Sequence, residues 1–571
     1  MHHNVQTIQK LARFSLKNGV FAWIAAIFVW YLIISTLRNG ISCDEGYYLM
    51  GYLQGQDIEG VGTDFHSIIR ALSRSFPDDD IIVFRYLRLV LNLLAIVLFA
   101  DSSFKWLSRK KGLSFSCWAF SPMFLLAGAM SFTFASPTIS YDSLELIIVL
   151  LAASFVFYLI SFDNRVIQTC CAFSTGLLFW FACSNYPPAG VCIVILLTIL
   201  YFIEIENKRW SHLMAAFLGI IAALLVSHYF IHDMKEWFAE ISKVFISTFT
   251  EESRSRHDAG SLVSTMLLTA LKLVLVFAPL VAVLTLFYKR VHLSERLQWA
   301  LIMLICVGMC VVRKAYEFRS VLLLIPVALV LAKVLAKPSL DIKKFLLSKD
   351  LLLVFVLMAI PIAGVFGTNQ PILKKALIYT PFWVLAFYVV STQIRGKDCE
   401  RLVLLFTIIM MAGYVWLGNF QRYHYYYTPR SSQYEIVGAI RPQKVLVSKY
   451  QQEYYYDLLD TLKTSGCKPR DKYMAFGENQ MAVYLAGGYI SGRLPYHWWQ
   501  YKVFEKDAPQ AFILFKNEEK DVIDYFQKAG WMFPENYERI EMRQMSQNMS
   551  EDYRTVLYIR QASLGQLEPA N

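Results

Sequence analysis

Three groups of residues carry side chains able to do chemistry. The sharpest is Cys43-Asp44-Glu45-Gly46-Tyr47-Tyr48, which follows closely on the first long apolar run. A carboxylate there can act as a general base, but two adjacent carboxylates at a membrane edge are costly unless they are solvated, paired or used. A solvated loop or a helix cap is the alternative reading of the dipeptide. The second group is cationic: Arg85 and Arg88, and the run Arg313-Lys314-Ala315-Tyr316-Glu317-Phe318-Arg319. Guanidinium forks bind phosphate oxygens bidentately, whereas an interfacial cation can also simply snorkel to the membrane surface. The third is His228, His232 and Asp233. Histidines at i and i+4 share a helix face and can ligate one divalent metal ion, with interfacial packing as the alternative.

The elements that must position these residues are membrane spans. The chain has 571 residues, 56% hydrophobic and 17% charged, with a mean hydropathy of +0.41, so polar side chains are too few to cover a water-soluble surface of that size. Apolar runs occupy positions 19–37, 84–100, 115–134, 143–161, 166–183, 187–204, 210–231, 262–288, 298–312, 320–336, 350–366, 376–392 and 401–417. Each is read as a helix, since lipid leaves no water to satisfy backbone polar groups, which gives about thirteen spans. Pro187-Pro188 is either a break or a kink. Lys10, Arg13 and Lys17 precede the first run without a cleavage-site pattern, so the N-terminus is expected to be uncleaved and cytoplasmic. Lys105, Arg109, Lys110, Lys111, Lys208, Arg209, Lys289, Arg290, Lys343, Lys344, Arg395 and Lys397 then fall on the cytoplasmic side. The net charge of +11 therefore reports topology and not a nucleic-acid partner. Cysteine spacing suggests neither a disulfide scaffold nor a metal cluster, and there is no P-loop to drive an ATP-dependent pump.

Two outward loops, 38–83 and 232–261, show helical amphipathicity: Phe65, Ile68, Ile69, Leu72 and Phe76 share one face in the first, and Trp237, Ile241, Val244, Phe245 and Phe249 in the second. They can roof a cavity or pack on the bundle. Residues 418–571 have no spanning run and are Tyr-rich and charged. Strand–helix patterns at 473–485 and 511–529 and a hairpin at 537–559 predict a small α/β domain outside the membrane. The expected division is thus a transmembrane domain, 1–417, and an extracytoplasmic domain, 418–571. The run Tyr423-His424-Tyr425-Tyr426-Tyr427 reads as an interfacial aromatic belt, with stacking on a sugar as the alternative.

An acidic pair in the first outward loop, amphipathic helices, many spans and an outward tail together resemble the GT-C superfamily of membrane glycosyltransferases. The nearest likeness is to the protein O-mannosyltransferase and lipid A aminoarabinose transferase group, the glycosyltransferase 39-like enzymes. At residue level the resemblance rests on Asp44-Glu45 and on Tyr141-Asp142-Ser143. It implies that Asp44 activates an acceptor hydroxyl or amine, with Glu45 beside it, and that Asp142 is the second acidic residue. Two features depart from the pattern: Gly46-Tyr47-Tyr48 stands where an Arg often follows the acidic pair, and Tyr496-His497-Trp498-Trp499-Gln500-Tyr501 lacks the Asp and Gly of the oligosaccharyltransferase signature.

Sugar transfer from a lipid phosphate needs a base for the acceptor proton and cations for the departing phosphate. Asp44 supplies the first; Arg85, Arg88, Arg313, Lys314 and Arg319 are candidates for the second. The resulting expectation is an inverting glycosyltransferase in a bacterial plasma membrane, using a polyprenyl-phosphate-linked sugar and a glycan, lipid or protein acceptor on the outer face. A divalent metal at His228 and His232 is a candidate cofactor. A lipid-linked glycan flippase, or a polysaccharide polymerase or ligase, is the rival expectation.

Overall fold

A computed structural model describes residues 2–41, 44–53, 65–73, 81–110, 117–133, 136–205, 210–231, 259–290, 323–336, 347–366, 375–392, 397–415, 434–437, 442–476, 479–490, 509–528, 533–544 and 554–561, with a few isolated positions besides. The chain opens with helix α1 (His2–Ser35), followed by α2 (Glu45–Leu53), α3 (Phe65–Ser73), α4 (Ile81–Lys110), α5 (Cys117–Ala129), α6 (Tyr141–Ser161), α7 (Arg165–Asn185), α8 (Pro187–Glu204) and α9 (Trp210–Val226). It continues through α10 (Ala259–Arg290), α11 (Ile325–Leu335), α12 (Lys349–Ala363), a 3-10 turn (Ala376–Tyr379), α13 (Thr380–Ser391) and α14 (Lys397–Tyr414). Within the described residues each expected apolar run is mainly helical, and 298–312 lies wholly outside them. Pro187-Pro188 is a break: α7 ends at Asn185, Tyr186 is the joint, and the prolines open α8, where their missing N–H groups cost nothing.

Contacts divide the chain differently from a cut between 417 and 418. One unit comprises 1–34, 89–135 and 141–418; the other joins 35–88 and 136–140 to 419–571.

The first unit is a helical bundle with an apolar exterior. Ile24, Ile27, Phe28 and Tyr31 make an exposed stripe on α1, as do Val90, Leu94 and Val97 on α4, Met214, Phe217, Leu218, Ile221 and Leu225 on α9, and Leu267, Leu271, Val274 and Leu275 on α10. Apolar stripes of this extent are untenable in water and natural against lipid. Among the described residues, five helices, including α4 and α6 to α8, are long and apolar enough to cross a membrane. This is an integral, polytopic membrane protein. Of the most apolar stretch of each helix, 83% is buried in α6 and 22% in the helix from Trp210 to Ile231, so α6 is interior and α9 faces lipid. At the α7–α9 crossing, a Cβ added at Gly176 would lie 1.8 Å from the Ala216 carbonyl oxygen and one at Gly219 2.0 Å from that of Phe173. Glycine lets the two backbones touch.

The second unit holds α2, α3 and the tail. The tail begins with the antiparallel pair β1 (Tyr434–Val437) and β2 (Pro442–Val447) and helix α15 (Lys449–Thr464). Then come β3 (Lys472–Ala475), α16 (Gln480–Ala486), β4 (Tyr489–Ile490), β5 (Ala511–Phe515), α17 (Lys516–Lys528), β6 (Tyr537–Glu541) and β7 (Thr555–Arg560). The sheet order is β4-β3-β5-β7-β6, parallel across β4-β3-β5 and antiparallel across β5-β7-β6. Met474, Phe512, Leu514, Val522, Phe526, Phe533 and Val556 form its core. The segment after α1 joins the tail: Gly40 N donates to the Leu446 carbonyl at 2.6 Å and Leu446 N to that of Arg38 at 2.8 Å.

Candidate functional site

The acidic pair divides into two different environments. Glu45 opens α2, where the positive end of the helix favours a carboxylate. Its side chain is fully buried and gripped bidentately by Arg85, from the first turns of α4: Nε to Oε1 is 2.8 Å and Nη2 to Oε2 is 2.6 Å. Thr138 Oγ1 donates to the same Oε1. Arg85, also fully buried, donates further to the carbonyls of Leu37 at 2.7 Å and Gly40 at 2.6 Å. The sequence expectation set Arg85 against a donor phosphate; in the structure its fork holds Glu45 and the turn after α1. Arg88, equally buried, donates to the Ser136 carbonyl, and the Tyr52 hydroxyl to that of Ile139 at 2.7 Å. Residues 136–140 are thereby stitched to α2 and to the start of α4.

Asp44 stands one residue earlier and is only half-buried. Its carbonyl accepts the Tyr48 N–H at 3.2 Å, so it occupies the capping position of α2. The next residue but one explains how it is placed: a Cβ on Gly46 would lie 2.2 Å from the Met481 backbone nitrogen, so only glycine lets α2 lie against the start of α16.

Beside Asp44, Tyr47, Tyr48, Tyr52 and Phe65 enclose His66 of α3, with the Tyr47 and His66 rings edge-to-face at 5.1 Å. Neither His66 ring nitrogen has a hydrogen-bond partner among the described residues. Burial, reinforced by Arg70, holds its ring well below the usual histidine range, so it is neutral. Burial, with the Asp44 carboxylate second, pushes Tyr47 far up. Phe65, Ile68 and Ile69 of the expected apolar face are buried, whereas Leu72 is exposed and Phe76 lies outside the described residues. Sequence reading passed over His66, which adjoins that apolar face between Phe65 and Ser67.

Asp142 belongs to the other unit. It lies in the first turn of α6 and pairs with Lys375 at 2.5 Å. The Lys375 ammonium sits 4.8 Å above the Tyr141 ring and 5.6 Å from that of Tyr186. One turn further along α6, fully buried Glu145 accepts from Asn185 Nδ2 at 2.8 Å, and the same nitrogen donates to the Tyr141 carbonyl at 3.0 Å. The Pro-Pro break makes Asn185 the last residue of α7 and so sets it against α6. Glu145, Asn185 and Lys375 were missed because they lie in or beside apolar runs, far apart in sequence, and only the fold brings them together.

His228 is exposed in a π-helical turn, Ser227–Ile231, next to the Tyr229 ring. His232, Arg313, Lys314 and Arg319 lie outside the described residues. Among the described residues no group of three or more His, Cys, Asp or Glu side chains forms a metal site.

No family model matches the chain, and no curated protein is similar to it. Among solved structures it is similar to the crystal structure of ArnT from Cupriavidus metallidurans bound to undecaprenyl phosphate. The alignment covers 95% of this chain and 98% of that one, at 10% sequence identity and a TM-score of 0.40.

Proposed function

We propose that this protein is a membrane glycosyltransferase that moves a sugar from a polyprenyl-phosphate carrier to an acceptor at the outer face of a bacterial plasma membrane, with Asp44 as the general base. One observation carries this reading. Of two adjacent carboxylates, Glu45 is sealed inside the fold by Arg85 and Thr138, and Asp44 is left half-exposed on a helix cap that Gly46 fixes against α16. A base must reach the proton it takes, and Asp44 alone of the pair meets that condition.

In the proposed step the acceptor oxygen or nitrogen attacks the anomeric carbon from the face opposite the phosphate. Its proton passes to Asp44, and the glycosidic bond breaks with its electron pair leaving on the lipid phosphate. Cations stabilise that charge; Arg313, Lys314 and Arg319 are the proposed group, since Arg85 is committed to Glu45. A divalent ion at His228 and His232 is a further proposal, checked by metal analysis of the purified protein and of a His228→Ala, His232→Ala variant.

The test is Asp44→Asn, which keeps shape and removes the base. With donor binding and folding intact, transfer from a polyprenyl-phosphate sugar should fall about 100-fold or more. A folded variant that transfers at the original rate would sink the assignment. Movement of a lipid-linked glycan across vesicle membranes with no glycosidic bond broken would identify a flippase.

A further inference from the structure

Glu145 and Asn185 form an incomplete pair. The two hydrogens of Asn185 Nδ2 are both used, one on Glu145 Oε2 at 2.8 Å and one on the Tyr141 carbonyl at 3.0 Å. The other oxygen of each group, Glu145 Oε1 and Asn185 Oδ1, has no hydrogen-bond partner among the described residues. Exchanging the amide nitrogen and oxygen does not help, because both partners of the nitrogen are acceptors. Both side chains are completely buried. One paired contact thus leaves two buried acceptors over.

Charge points the same way. A fully buried carboxylate is unstable as an ion unless a cation compensates it. The ammonium in this cluster, on Lys375, is 2.5 Å from Asp142. Among the described residues, the other ionisable groups that interact electrostatically with Glu145 are Tyr186, Tyr379 and Cys183, none of which can supply positive charge. A bound metal cation would meet the Lys375 ammonium as a like charge, whereas a proton on Glu145 would leave the Asp142–Lys375 pair balanced.

We propose that Glu145 is a neutral carboxylic acid in the folded protein, its Oε1–H donating to Asn185 Oδ1 and closing a two-bond acid–amide ring between α6 and α7. The ring makes Glu145 a positioning residue. Through Asn185 it fixes the first turn of α6, which carries Tyr141 and Asp142 and against which Lys375 is held. The inference is independent of the reaction proposed for Asp44.

Infrared spectroscopy of the purified full chain in detergent at pH 7 tests it. The difference spectrum between the original protein and Glu145→Gln should show the loss of one carbonyl band of a protonated carboxyl, a band that shifts in D2O. Glutamine can close the same ring, so this variant should melt within a few degrees of the original. Asn185→Leu should keep the band but move it to higher frequency, because the acid carbonyl loses its donor. The proposal is overturned if Glu145→Gln removes an ionised-carboxylate band instead, or if Asn185→Leu leaves the protonated-carboxyl region unchanged. Melting that rises with sodium or potassium concentration in the original protein but not in Glu145→Gln would also overturn it, in favour of a bound cation.

Discussion

Asp44 and Glu45 differ by one position and by everything that surrounds them, and their substitutions should separate accordingly. Asp44→Asn acts on turnover, as argued above. Glu45→Gln leaves the Arg85 guanidinium buried without its counter-charge, and removing one partner of a buried ion pair costs roughly 3–5 kcal/mol. The expected result is a lower melting temperature and less folded protein, with any loss of transfer following the folded fraction. Arg85→Ala should do the same by orphaning Glu45. Replacing both, Glu45→Gln with Arg85→Met, should recover much of the loss, because no uncompensated charge stays behind. Thermal melts of the two single variants and the double variant provide the check. Additive losses would show that Glu45 and Arg85 do not act as a pair.

At the level of elements, packing depends on places where backbones touch. Gly46→Ala puts a methyl group 2.2 Å from the Met481 nitrogen, so α2 must lift from α16 and carry Asp44 with it. Transfer should fall by 10-fold or more, with helix content by circular dichroism unchanged; a fully active Gly46→Ala protein would show that α2 tolerates the shift. The β6 edge of the tail sheet gives a pH-dependent counterpart. Arg539 of β6 binds Glu519 of α17 bidentately, at 2.6 and 3.1 Å, and Tyr558 of β7 donates to the same carboxylate. Arg539 first, and Tyr558 with it, hold Glu519 below the usual carboxylate range. A depressed folded pKa stabilises above the unfolded value of about 4.3 and is lost as pH falls through the folded one. Glu519→Gln should therefore melt earlier than the original protein near pH 6, with the gap closing below about pH 4. A gap independent of pH would assign Glu519 a packing role.

For the whole molecule, periodicity and hydropathy make helices and strands legible, because each element depends on residues within its own stretch. The apolar runs and the β3–α16 and β5–α17 units follow directly, whereas Pro187-Pro188 reads as either a break or a kink until the helix ends are seen. What stays hidden is anything set by residues far apart in sequence. The dipeptide Asp44-Glu45 contains nothing to say that Glu45 faces Arg85 forty positions away. Likewise Lys375, Asp142, Glu145 and Asn185 come together only because three separate helix ends meet. Sidedness is legible only through loop charge, and it decides whether Asp44 faces an external acceptor at all. Cys467 is a poor reporter for it: the thiol is buried, and burial together with Asp471 pushes it up to about 11, so little reactive thiolate exists near neutrality. Lys468, next to it, is exposed. A Lys468→Cys variant with Cys467 replaced by Ser should be labelled by a membrane-impermeant maleimide added to intact spheroplasts, at a rate that permeabilisation leaves unchanged. Labelling that requires permeabilisation would place the tail, and with it Asp44, on the cytoplasmic side, where an acceptor on the outer face is out of reach.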